Sequence, residues 1–171
     1  MGAAFLRQSI EFLRDDYLPR IERALAALPA DDLWWRANDG ALSAGTILLH
    51  LTGNVQQWIV SGLGGAADQR HRASELSANG GSDAAALFER LTQTVQAACT
   101  VIAEQGEAEL TQPLVLQGFP TSPLQAMYHV VEHFSWHTGQ LVAIAKQRAG
   151  ANHGISFYDD GSINAQHNEP T

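Results

Sequence analysis

The chain has 171 residues, 45% of them hydrophobic and 16% charged. That composition is too apolar for a disordered chain, and the length suffices to bury about 70% of its surface without a disulfide or metal staple. Eighteen acidic residues against ten basic ones leave a net charge of −8, which gives no general footprint for a phosphate backbone and argues against nucleic-acid binding.

The first predicted element is a helix from about Ala3 to Leu28. Phe5, Leu6, Ile10, Leu13, Tyr17, Ile21, Leu25 and Leu28 recur at spacings of three and four and form one stripe. Pro29 and Asp31-Asp32 end it. The N-terminal residues have no basic leader followed by an apolar core, and no run of eighteen apolar residues exists. A signal peptide and a transmembrane helix are therefore not expected, and cytoplasmic residence is.

A connector follows, with Trp34-Trp35-Arg36 and a turn at Asn38-Asp39-Gly40. The two tryptophans are expected to lid one end of the fold. The second helix starts with Ser43 as N-cap and carries Ile47, Leu48, His50, Leu51, Val55, Trp58 and Ile59. Gly62, Gly64 and Gly65 stop it. Residues 64–81 read as a long polar loop containing Arg70 and Arg72, either solvated or able to reach an anionic substrate.

The third helix starts near Ser82 or Asp83 and ends near Gly106, with Leu87, Phe88, Leu91, Val95, Ala98 and Ile102 as its stripe. Cys99, the only cysteine, falls within it and reads as a small buried hydrophobe. Ser122-Pro123-Leu124-Gln125 opens the fourth helix with a cap, a proline at the first helical position and a glutamine three residues after the cap. It runs to about Arg148, with Gly150 just past its end. No strand alternation stands out. Residues 1–150 are expected to form an all-α four-helix bundle, with room for a crossover after the second helix. Residues 151–171 are expected to be a polar tail of the same domain.

The chemistry concentrates in the seven histidines. His129, His133 and His137 fall on the fourth helix and His50 in the middle of the second. His71, His153 and His167 lie in loops or the tail and receive no role. Helix positions four apart differ by about 40° and about 6 Å, so either His129/His133 or His133/His137 can share one ion, whereas positions eight apart cannot easily do so. A lone histidine on an apolar face is ordinarily a hydrogen-bonded core residue. Three imidazoles converging inside a helical core would each need a polar partner, and one shared metal supplies it for all three.

Two metal sites compete. His129-Val130-Val131-Glu132-His133 matches the H-x-x-E-H pattern of inverted zincin peptidases, with Glu132 as general base. That mechanism needs a further ligand on a later helix, and no such helix is evident after His133. A ferritin-like di-iron site is excluded, because Glu-x-x-His does not occur.

The other site uses His50, His133 and His137. Here the segment Leu49-His50-Leu51-Thr52-Gly53-Asn54 with Trp58, and Glu132-His133-Phe134-Ser135-Trp136-His137-Thr138-Gly139-Gln140, resemble the DinB-like superfamily. Trp34-Trp35-Arg36 and the spacing Arg70-x-Arg72-x-x-Glu75 also look like that family. The resemblance covers most of residues 3–148 in helix order and does not extend to the tail after Gly150. It implies a bundle, often homodimeric, with one histidine from the second helix and two from the fourth on a divalent metal. It also implies activities such as metal-dependent thiol transfer and thiol-dependent isomerisation, with no DNA contact.

Three neutral imidazoles leave a fourth coordination position open, the arrangement of catalytic zinc. Zinc or nickel is favoured, with iron and manganese also compatible with imidazole. The function expected is a metal-dependent transferase, thiol transfer first, or a hydrolase acting on a small molecule, with a low-molecular-weight thiol as co-substrate. A non-catalytic metal-binding protein of stress response or sensing is the alternative. Gln140, Asn54 and His129 are candidates for orienting a ligand or substrate. Trp58 and Trp136 are expected to fill the core.

Overall fold

The structure is a computed structural model that describes residues 1–158. His167 and the rest of residues 159–171 lie outside the described residues.

The first rod is α1 (Gly2–Ile10), a π-helical segment (Glu11–Tyr17) and α2 (Leu18–Ala27). The wide turn was not anticipated from the stripe of apolar residues. Its physical cause lies in Pro19, which lacks an N–H and whose ring clashes with the carbonyl four residues back. The backbone accommodates it one turn earlier by widening, and the Leu18 amide bonds to Leu13 O, five residues back.

The second rod is α3 (Ala44–Val55), continued by a π-helical segment (Gln56–Ser61). Ser43 caps it, its hydroxyl accepting from the Thr46 amide at 3.1 Å. A short helix α4 (Arg72–Ser77) lies in the following segment, so residues 64–81 are not one irregular loop as expected. Helix α5 (Ala84–Ala103) starts on Asp83, whose carboxylate accepts from the Ala86 amide at 2.8 Å. Helix α6 (Pro123–Ala149) starts on Ser122 and ends at Gly150, where φ is 78°. Each such cap contributes about 1 kcal/mol.

Two short strands contradict the strand-free expectation. β1 (Leu114–Leu116) and β2 (Phe119–Thr121) pair antiparallel, with Leu116 opposite Phe119. Three-residue strands are too short for alternation to show. The turn between them is made by Gln117 at φ 52° and Gly118 at φ 80°, the left-handed pair that a two-residue hairpin demands.

The rod α1–α2 packs against α5 and α6, and α3 does the same, which leaves α3 diagonally across the core from α1–α2. Helix directions follow from end-to-end contacts. The Gly2 amide bonds to Glu107 beyond the end of α5, and Arg148 near the end of α6 pairs with Asp32 just past α2. The segment after α3 retraces that helix, because Asp68 bonds Gln57, Glu75 meets His50 and Ala78 meets Thr46. Helix α5 therefore begins where α3 begins, and the two neighbours run parallel, with α1–α2 and α6 opposed to them. Residues 62–83 are thus a crossover strap lying along α3.

Helix α3 is buried almost all round, as an apolar central helix should be. Ile47, Leu48, Leu51, Val55, Leu91, Phe134 and Leu141 are fully buried around it. Each contributes about 1.5–3 kcal/mol by leaving water. Trp34 lies over Gly45, where a Cβ would stand 2.9 Å from the indole, and its N–H donates to Ser82 O. The connector tryptophan thus closes the end where α3 and α5 both start. After Gly150 the chain folds back: Ile155 is buried, Arg23 donates to Ser156 O, and Arg20 stacks over Phe157. No helix among the described residues is long and apolar enough to cross a membrane.

Candidate metal centre

His133 and His137 stand one turn apart on α6 and face the middle of α3, where His50 projects between them. The three rings are mutual neighbours, with centroids 4.4–5.0 Å apart. One nitrogen from each falls within 4.8 Å of the other two, a set that could hold a metal ion. The Nε2 atoms of His50 and His133 approach to 3.1 Å.

The far sides of two of these rings are fixed. His50 Nδ1 lies 3.3 Å from Glu75 Oε2, and His137 Nδ1 lies 2.7 Å from Gln140 Oε1. A carbonyl or carboxylate oxygen only accepts, so the His137 contact favours a ring proton on Nδ1, whereas His50 Nδ1 has an acceptor, Glu75, and a donor, Arg70 Nη2 at 3.2 Å, beside it. Glu75 is itself clamped by Arg70, whose Nε and Nη2 each donate to it at 2.9 Å. Arg70 also donates to Gln57 Oε1 at 3.0 Å, and Gln117 of the hairpin turn donates to that same oxygen. The side chains of Arg70 and Glu75 are only 3% and 11% exposed.

The electrostatics favour neutral rings at His133, His137 and His129. Burial, with the neighbouring histidines and Arg70, pushes His133 down to about 3. Burial and His50 lower His137, and burial lowers His129. Burial alone would raise the Glu75 carboxyl, but hydrogen bonds from His50 and Arg70 outweigh it and hold the group below the usual carboxylate range. Neutral imidazoles beside an ionised carboxylate are the state in which nitrogen ligands bind a cation. His133 Nδ1 is buried with no hydrogen-bond partner among the described residues. The donor set fits a divalent ion, since each of three clustered imidazoles offers one nitrogen within 4.8 Å of the other two.

The other residues singled out from the sequence are placed variously. Gln140 bonds His137 as described. His129 lies outside the cluster, its ring 4.5 Å from Trp58 and 5.5 Å from His133. Asn54 is buried, its Oδ1 without a partner among the described residues, and it makes no hydrogen bond to the clustered histidines. Glu132 is exposed and lines a shallow groove with Tyr17, Tyr128 and Trp136. The geometry thus groups His50, and not His129, with His133, against the H-x-x-E-H arrangement. Trp136 is 64% exposed rather than core-filling, because it follows Ser135 on the outer side of α6. Arg70 is neither solvated nor free for an anionic substrate, being buried on Glu75, while Arg72 is exposed. His71 is exposed, and His153 accepts from the Ile155 amide.

Glu75 and Gln57 were not marked as site residues. Arg70-x-Arg72-x-x-Glu75 signalled the first, but its contact with His50 exists only because the strap doubles back along α3. Two cavities lie near residues that contact the cluster, neither of them lined by the three imidazoles. One, of about 490 Å³, lies between the strap, α3 and Arg90, behind the Arg70–Glu75 pair and not against the three imidazoles. The other, of about 310 Å³, is walled by Trp35, Leu42, Ile47 and Ile144 and reaches Gln140.

A family model described as a protein of unknown function, DUF1572, matches residues 1–156. No curated protein matches the chain.

Proposed function

The chain belongs to the DUF1572 family, and from its three-histidine cluster we propose that it is a divalent-metal-dependent enzyme acting on a small molecule. The ligands are His50, His133 and His137, and zinc or nickel is the favoured ion. The single observation that carries this reading is the convergence of three imidazole nitrogens within 4.8 Å, with two of the rings turned by acceptors so that Nε2 faces inward. The fold is read as a four-helix bundle of the DinB-like type, and the chain as a cytoplasmic homodimer without nucleic-acid partners, in keeping with the resemblance and the acidic charge.

A divalent ion held by three neutral imidazoles supplies a Lewis acid with room for a further ligand, which makes water or a thiol nucleophilic near neutral pH. The chain's own residues do the rest. Glu75 and Gln140 hold two ligand rings in orientation. The cavity that Gln140 lines, with its largely apolar walls, is the place proposed for the uncharged part of a small substrate. Thiol transfer from a low-molecular-weight thiol is the favoured reaction, and hydrolysis the second.

The test is turnover. Protein loaded with zinc or nickel is assayed for thiol addition to a panel of electrophiles and for ester and amide hydrolysis, beside His50→Ala verified as folded by circular dichroism. Metal-dependent turnover that disappears in the variant supports the proposal. Bound metal with no turnover in either assay points instead to a non-catalytic metal-binding protein.

A further inference from the structure

Glu75 reaches the cluster from outside the two ligand-bearing helices. It touches His50 at Nδ1, while His50 Nε2 faces His133. Those two nitrogens lie on opposite sides of the imidazole ring, so Glu75 cannot ligate the same ion as Nε2. Its effect must pass through the ring. Arg70 Nη2 lies 3.2 Å from the same Nδ1. An arginine only donates, and a carboxylate only accepts, so the two neighbours favour opposite tautomers of His50. With Glu75 in place, Arg70 is bound on the carboxylate at two points, and the carboxylate offers an acceptor to a proton on Nδ1.

The packing shows that the approach is built. A Cβ at Gly53 would stand 1.9 Å from Glu75 Oε1 and 2.9 Å from Arg70 Nε. Only the notch left by a glycine, three residues after His50 on α3, admits the pair. The strap is also tied down on both sides of it, by Gln57 to Asp68 and by Arg36 to Ala78 O.

We propose that Glu75, held by Arg70, which Gln57 in turn anchors, is a positioning residue that keeps His50 in its Nδ1–H tautomer, so that the strap 62–83 is part of the metal centre and sets its affinity. This rests on the reading of His50 as a ligand for its consequence on metal binding, but the tautomer is a property of the metal-free chain. When Glu75 is removed, Arg70 donates into Nδ1, the proton moves to Nε2, and the nitrogen facing the cluster is blocked.

Two readouts test it on the full chain. The first is the His50 tautomer in the metal-free protein, from long-range nitrogen–proton NMR correlations, in wild type and Glu75→Ala. The second is zinc affinity, by competition with a chromophoric chelator, in wild type, Glu75→Ala and the double variant Arg70→Ala/Glu75→Ala. The expected results are Nδ1–H in wild type, Nε2–H in Glu75→Ala, and zinc binding weakened about 10–100-fold in that variant. The double variant recovers part of the affinity, since the competing donor is gone; a merely structural role for the pair would make it weaker still. Wild-type tautomer and affinity within twofold in a folded Glu75→Ala protein would overturn the proposal. If wild type binds no zinc, the functional reading fails, and the tautomer measurement still decides this one.

Discussion

His133 occupies the most demanding position of the histidines, with a buried Nδ1 that has no partner among the described residues and three further imidazoles around its ring. Its ionisation in the native state is pushed down to about 3, against about 6.5 in an unfolded chain. Above pH 6.5 both states hold the ring neutral and stability is complete. As pH falls from 6.5 toward 3, the unfolded chain takes up a proton that the native state refuses, so stability is lost across that window. Thermal melting of metal-free protein is expected to fall steadily from pH 7 to pH 4, and His133→Gln should flatten that dependence. Cys99 supplies a second residue-scale prediction. It is 4% exposed and burial raises its thiol, so a thiol reagent should modify it slowly in native protein and quickly in denaturant. The histidine trio was legible in the sequence because a four-residue helical spacing already aligns two rings, and an isolated polar residue in an apolar helix marks the third. Glu75 was not legible as a contact, since 25 residues separate it from His50 and only the path of the strap brings them together.

At the scale of elements, α3 and the strap depend on each other. Gly53→Ala would force Glu75 and Arg70 off the helix, and the expected outcome is a loss of about 1–3 kcal/mol. Limited proteolysis should then cut within residues 64–81 faster than in wild type. Helix α6 is held chiefly by its buried face. Phe134→Ala, at a fully buried position one residue past His133, should cost about 3–5 kcal/mol in denaturant unfolding. Helix starts were readable because caps are local: Ser43, Asp83 and Ser122-Pro123 each bond within three residues. The hairpin and the two π-helical segments were not. Three-residue strands carry no periodicity, and a widened turn shifts the buried face by one residue, here from Leu13 to Leu18, which apolar spacings of three and four do not show.

For the whole molecule, one consequence of the topology is that metal, helices and strap should stabilise one another. An ion that binds only the native chain adds about 2.7 kcal/mol at a hundredfold excess over its dissociation constant. Melting temperature should therefore rise with added zinc in wild type and stay unchanged in His50→Ala. The number of long helices was readable from the apolar stripes. Their directions were not, because parallel and antiparallel neighbours share the same stripe, and it is the backtracking contacts of residues 62–83 that settle that α3 and α5 run parallel. The most direct test of the central claim is metal content by mass spectrometry on protein purified without a histidine tag, for wild type, His50→Ala, His129→Ala and His137→Ala, each checked for folding. The account predicts about one ion per chain in wild type and His129→Ala and none in the other two. No ion in any of the four, with none taken up on titration, or loss in His129→Ala with retention in His137→Ala, would contradict it.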